Sequence, residues 1–267
     1  MLKLPERTRK PRREGLTVLI DTGAPARYFQ DVIQSVGPLV DLVKFGWGTS
    51  LVSPHLPEKL QACRAQGVDY FFGGTLFEKF YVQGRVDEYR GYCADRGCRY
   101  VEISNGTVDM TNHEKARLIR LFARDFRVFS EVGYKDSARS LNLPPARWIR
   151  FIEEDLEAGA YKTITEARES GTSGICRSNG ELRFGLIEEI IESGLDLANI
   201  VFEAPNKTLQ TYFVTRIGSN VNLANIALDD VVAVETLRQG LRSDTLLWAE
   251  GIEPEGVLTG GALHHEE

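Results

Sequence analysis

The feature that most constrains this chain is an alternation that never breaks: short apolar, β-branched runs followed by longer segments of helical period. The runs fall at residues 16–20, 39–45, 68–72, 100–103, 126–129, 161–164, 200–202 and, less clearly, 214–221. Between them, residues 27–36, 57–65, 87–95, 112–123, 146–157, 181–192 and 206–215 carry helical period, and glycines such as Gly67, Gly97 and Gly159 stop three of these helices. Eight strands alternating with helices in 267 residues predict a single-domain α/β fold, a (β/α)8 TIM barrel over residues 15–245. An open doubly wound sheet is the alternative, but no glycine-rich dinucleotide fingerprint follows the first strand. The polar residues at the run ends recur at the spacing of βα units except the last step, to Asn220. The seventh helix is therefore short or the eighth strand begins late, with residues 229–239 closing the barrel.

The flanks are expected to lie outside the barrel. Residues 1–14 form a basic arm, read as a solvated lead-in that Pro5 and Pro11 keep from being helical, and residues 246–267 form a glycine-rich acidic tail. A net charge of −6 argues against bulk nucleic-acid binding. No apolar stretch approaches the roughly 20 residues of a membrane helix, and the N-terminus has no signal-peptide core, so a cytoplasmic location is expected. The four cysteines form no CxxC pair and read as buried thiols, and the four histidines assemble into no acid/base constellation.

In a barrel the strand C-termini converge on one mouth, so a polar group ending an apolar run is a site candidate. Lys44 opens the segment Lys44-Phe-Gly-Trp-Gly-Thr-Ser50, a cation followed by a turn able to hold an anion. Asp21, Gly74, Ser104, Gly171, Ser173, Asn220 and Asn222 are candidate substrate-binding positions, and Gly218-Ser219 a candidate phosphate loop. Glu102, Glu131 and Glu203 would repel one another around one mouth. Either a hard cation such as Mg2+ joins them or each pairs with a lysine or arginine. Lys44, Lys135 and Arg168 suit an anionic substrate. Lys135, if desolvated among other cations, would have a lowered pKa and could protonate a carbanion or form a Schiff base with a ketone.

Several blocks, in order, resemble the phosphosulfolactate synthase family: Lys44 to Ser50, Gly73-Gly-Thr-Leu-Phe-Glu78, Val101-Glu-Ile-Ser104, Glu131-Val-Gly133, Glu166-Ala-Arg-Glu-Ser-Gly171, Phe202-Glu-Ala-Pro205, Asn220 to Ile226 and Glu235 to Arg242. The resemblance implies a (β/α)8 barrel that adds sulfite to phosphoenolpyruvate with Mg2+, giving (2R)-phospho-3-sulfolactate on a route to coenzyme M. It implies Lys135 as the acid that protonates C2, small anions as substrates, and a homo-oligomer. Thr22, Tyr134 and the loop Ser170-Gly-Thr-Ser-Gly174 depart from the family, standing where relatives can carry lysine. The readings left beside it are another barrel lyase or aldolase on a phosphorylated or keto acid, and a catalytically silent, stress-related barrel.

Overall fold

A computed structural model describes residues 2–168 and 170–252. Eight parallel strands form the expected barrel: β1 (Thr17–Asp21), β2 (Leu42–Phe45), β3 (Asp69–Phe72), β4 (Tyr100–Ile103), β5 (Arg127–Val132), β6 (Lys162–Thr165), β7 (Ile200–Glu203) and β8 (Asn222–Ile226). They are hydrogen-bonded in the order β3-β2-β1-β8-β7-β6-β5-β4, which leaves one seam, between β3 and β4, packed without a ladder. The helices between and after them are α1 (Ala26–Val36), α2 (Thr49–Val52), α3 (Leu56–Ala65), α4 (Gly74–Val82), α5 (Val86–Asp95), α6 (Asn112–Phe122), α7 (Ser137–Leu141), α8 (Pro145–Glu157), α9 (Phe184–Glu192), α10 (Lys207–Ile217), α11 (Val231–Arg238) and α12 (Ser243–Ala249). None is long and apolar enough to cross a membrane.

Two apolar layers hold the barrel. One lies between strands and helices; the other fills the interior with Val18, Leu42, Phe71, Tyr100, Phe129, Ile164 and Val201. Phe129 stacks on Tyr100 with ring centroids 5.5 Å apart and meets Phe71 at 5.0 Å, so the lower barrel is solid. Polar groups from the strand ends are therefore confined to the top.

The expected eighth strand is corrected. Residues 207–217 are α10, because Asn206 caps the helix by accepting from Leu209 N at 3.0 Å, Leu209, Phe213 and Val214 are buried, and Gly218 ends it at φ 128°. The strand begins late, at Asn222, so Asn220 and Asn222 lie at its N-terminal end, away from the mouth. Toward the C-terminal end β8 slips against β1: Thr17 pairs with Leu223 but Leu19 with Ile226, leaving an extra residue bulged out.

The basic arm is no solvated lead-in. It closes the N-terminal end of the barrel, where strand-end carbonyls need donors. Arg7 donates to both Glu235 carboxylate oxygens, to Asn220 Oδ1 at 2.7 Å and to the Ser219 and Gly15 carbonyls. Lys10 Nζ donates to the carbonyls of Gly37, Val40 and Gly67, and Arg12 to Asp41 at 3.0 Å. Beneath them Arg238, fully buried, donates to the carbonyls of Ser219, Val221 and Leu16. The predicted tail is also revised, since α12 occupies its first residues; residues 253–267 lie outside the described residues. The four cysteines are buried and free, as expected.

Candidate active site at the barrel mouth

Lys44, Glu102, Glu131 and Glu203 are inward-facing residues near the C-terminal ends of β2, β4, β5 and β7, and all four are buried. Lys44 Nζ lies 2.9 Å from Glu102 Oε2, 3.4 Å from Glu131 Oε2 and 3.2 Å from Glu203 Oε1. Lys135, four residues past Glu131, bends back over it at 2.8 Å and reaches Glu166 Oε2 at 3.5 Å. The bend needs Gly133, at φ +125°, where a Cβ would meet Trp148 at 2.5 Å and Glu166 at 2.7 Å. Backbone amides hold the other carboxylate oxygens: Gly74 N on Glu102 at 2.6 Å, Ala167 N on Glu203 at 2.8 Å and Arg168 N on Glu166 at 2.7 Å. Gly74 is obligatory, because a Cβ there would lie 2.4 Å from Ser104 Oγ.

Four carboxyl groups thus face two ammonium groups in a desolvated recess. Burial pushes the Glu102 carboxyl up to about 7, against the pull of Lys44 and with the help of the Glu131 charge. Burial and the Glu131 charge likewise push Glu166 well above its ordinary range. Glu131 goes the other way: burial opposes its charge, but Lys135 and Lys44 together hold it below the usual carboxylate range. Lys44 and Lys135 are both raised, because their glutamate neighbours outweigh burial. Lys135 is therefore among carboxylates and not among cations, which corrects the expected lowered pKa. Its amine is held protonated.

The expected site residues divide clearly. Lys44, Gly74, Glu102, Glu131, Lys135, Arg168 and Glu203 line one recess. Ser104 stands behind Gly74 and donates to Glu78 Oε1 at 2.8 Å. Asp21 ends β1, but its carboxylate accepts from Gly23 N, Ala24 N and Lys59 Nζ, the last at 2.5 Å, and it does not line the recess. Ser173 is buried in the loop after β6 and clamps the β5 loop, its hydroxyl donating to the carbonyls of Tyr134 at 2.8 Å and Lys135 at 3.1 Å. Gly171 packs beside Asn206 and Leu209. Asn220, Asn222 and the Gly218-Ser219 loop are at the opposite end of the barrel. Asn222 bonds Leu16 N and the carbonyls of Ala198 and Ile200, while Ser219 Oγ donates to the Arg238 carbonyl.

Two mouth groups were missing from the sequence-derived set. Glu166 stands two residues past the 161–164 run, as Glu131 stands two past its own, so its signal was present. Asn225 had none, because the β8 bulge turns it into the recess. The non-glycine residues with positive φ among those described are Trp47 (49°), Arg168 (60°) and Asn225 (57°), and all three line this recess. Such backbone costs about 1–3 kcal/mol per residue and clusters where a site is preorganised.

The recess has about 20 Å3 of free volume, room for one water-sized body. The Glu102, Glu131 and Glu203 triad already surrounds the Lys44 ammonium, and among the described residues no three His, Cys, Asp or Glu side chains form a metal-ligand set. Yet Asn225 Oδ1 is buried without a hydrogen-bond partner, Glu102 Oε2 and Glu166 Oε2 meet only the shared Lys44 and Lys135 ammonium groups, and the acids outnumber the cations. An all-oxygen donor set with excess negative charge fits a hard divalent cation in chemistry.

The profile of the family described as (2R)-phospho-3-sulfolactate synthase (ComA) matches residues 5–244. The chain is 53% identical over 244 residues to phosphosulfolactate synthase of Bacillus subtilis (strain 168), covering 91% of this chain and 97% of that one. It is 39% identical over 246 residues to phosphosulfolactate synthase of Methanothermobacter thermautotrophicus, covering 91% and 95%. Among solved structures, the YdjI aldolase from Escherichia coli K12 superposes with a TM-score of 0.54 at 13% identity, over 83% of this chain and 78% of that one, a likeness of fold alone. With the mouth built from the family's own blocks and the match running through the whole barrel, the chain belongs to the (2R)-phospho-3-sulfolactate synthase family.

Proposed function

We propose that the chain catalyses the Mg2+-dependent addition of sulfite to phosphoenolpyruvate, giving (2R)-phospho-3-sulfolactate. One observation carries this reading: a protonated Lys135 stands at the rim of a carboxylate-lined recess, facing a wider cationic opening. The sulfur lone pair of sulfite attacks C3, a C–S bond forms, and the C2–C3 π electrons move onto C2 and its carboxylate as an enediolate. Lys135 Nζ then delivers a proton to C2. Lys44 supplies positive charge beneath the same centre, and the strained Trp47 and Arg168 backbones fix the walls. Glu166, Glu102 and Asn225 would hold Mg2+, which when bound supplies Lewis-acid charge against the enediolate. A Schiff-base reaction at Lys135 needs a neutral amine, which its pairing with Glu131 and Glu166 opposes.

We further assign the protein to the cytoplasm, in keeping with four free buried thiols, and its product to a sulfonate route of the coenzyme M kind. Assembly as a homo-oligomer belongs to the same reading and is checked by light scattering of the purified protein. Phosphoenolpyruvate consumption tests the reaction: it should require both sulfite and Mg2+. Equal consumption without sulfite would refute the addition, and full activity in excess chelator would refute the metal.

A further inference from the structure

Beside the recess, and sharing Lys135 and Arg168 with it, lies an open vestibule of about 530 Å3. Among the described residues its charged lining is Lys135, Arg139, Arg168 and Asp136. The acid among them is turned aside: Asp136 Oδ1 accepts from Arg139 N at 2.7 Å and so caps α7. Neither arginine enters an ion pair with a described residue, although ion pairs are common elsewhere on this surface. Both are nevertheless held. The Arg139 guanidinium lies over the Tyr134 ring, 4.2 Å from its centroid. Arg168 takes its position from its left-handed backbone and from the hydrogen bond its backbone N–H donates to Glu166 Oε1.

A second opening of about 490 Å3 adjoins the recess on the side of β1 and β8, sharing Ile20 and Asn225 with it. It is lined by Thr22, Tyr28 and Asp229 and by no cation. An anion approaching the mouth therefore meets, on one side, two guanidinium groups that no described residue pairs with, and an acid on the other. The recess itself, with its excess of carboxylates and room for one small body, cannot take a dianionic group directly.

We propose that the vestibule is the phosphate subsite, in which Arg139 and Arg168 bind the phosphomonoester dianion as two guanidinium forks. Thr75 and Thr107, also in its lining, supply hydroxyls for the remaining oxygens. Arg139 is then a substrate-binding and specificity-determining residue. This rests on the reading above in taking phosphoenolpyruvate as the substrate. It adds an orientation: the phosphate points outward to α7, and the carbon skeleton reaches inward past Lys135.

Steady-state kinetics of Arg139→Gln and Arg139→Lys test it, with Arg150→Gln as a control for loss of an exposed arginine. Losing a charge-assisted contact predicts a rise of about 10- to 100-fold in KM for phosphoenolpyruvate in Arg139→Gln, with KM for sulfite within about twofold of wild type. Arg139→Lys should recover only part of the loss, because lysine restores the charge without the fork. An unchanged KM for phosphoenolpyruvate, or a rise confined to sulfite, would overturn the assignment while leaving the reaction intact. Calorimetric titration with inorganic phosphate tests the subsite independently of turnover: wild type should bind it and Arg139→Gln should bind at least about tenfold more weakly. Equal binding by the two would overturn the subsite even if no reaction were found.

Discussion

At the N-terminal end of the barrel Arg7, Lys10, Arg12 and Arg238 donate to acceptors brought there by five separate stretches of chain, and apart from Arg238 Nε the polar groups named there have partners. At the C-terminal end four glutamates face two lysines that each serve more than one carboxylate, and the buried Asn225 Oδ1 has no hydrogen-bond partner. Both ends bury charge, so burial alone does not mark the site. What separates them is satisfaction: the lower end uses its charges to close the fold, whereas the upper end keeps a deficit that a substrate or a cation can fill. The three left-handed non-glycine residues fall at the upper end, which is where strain would be retained for function.

Substitutions on the two ends should therefore fail in opposite ways. The largest effect is expected for Lys135→Ala. Loss of the proton donor and of its charge should lower the rate at least about 10²- to 10³-fold, read as sulfite-dependent phosphoenolpyruvate consumption, with a native circular dichroism spectrum. Arg7→Ala should do the reverse. Leaving Glu235 without its guanidinium, with only Gln239 still donating to it, should cost about 3 kcal/mol, a fall in Tm on the order of 6–12 °C, with kcat/KM measured at 25 °C unchanged.

The next effect is a pH dependence confined to the upper end. Glu102 is raised from 4.5 to about 7, so the folded protein keeps a proton that the unfolded chain releases between those values. The folded state then binds more protons than the unfolded one, and the Glu102 contribution to stability without metal should fall as pH rises from about 4.5 to about 7 and level off above, with Glu166, also raised, adding to the fall. Glu131, held low, contributes the opposite slope, a loss of stability only as pH falls below the ordinary carboxylate range. A cation competes with the Glu102 proton, so Mg2+ affinity should weaken about tenfold per pH unit below 7. Calorimetry at pH 6 and 8 checks this, and Glu102→Gln should abolish the difference. The smallest effect is expected at Ser173→Ala. Its hydroxyl only clamps the Lys135 loop, and losing a bond worth about 1 kcal/mol should slow turnover by up to about tenfold without moving KM for sulfite.

The comparison also explains what could be read from the sequence. Lys44, Glu102 and Glu131 sit near the ends of apolar runs and Glu203 directly after one, so the strand alternation alone brings them to one mouth. Lys135 could be located but not its electrostatics, because the Gly133 bend folds it back onto Glu131, which with Glu166 of the neighbouring strand reverses the expected shift. Asn225 was hidden by a bulge that depends on the pairing of β8 with β1. The helical period of residues 206–215 overlapped the supposed strand at 214–221, and the cap at Asn206 decides between them. The arm was misjudged because most of its partners are backbone carbonyls, which carry no sequence signature, so arginines that close a barrel look like arginines in water.

The most direct test is mass spectrometry of the product formed from phosphoenolpyruvate and sulfite in D2O. The account predicts phosphosulfolactate carrying one non-exchangeable deuterium at C2, formed by wild type only when Mg2+ is present and suppressed at least about 100-fold in Lys135→Ala. Absence of that product with wild type, or equal labelling and yield from the Lys135→Ala protein, would contradict it.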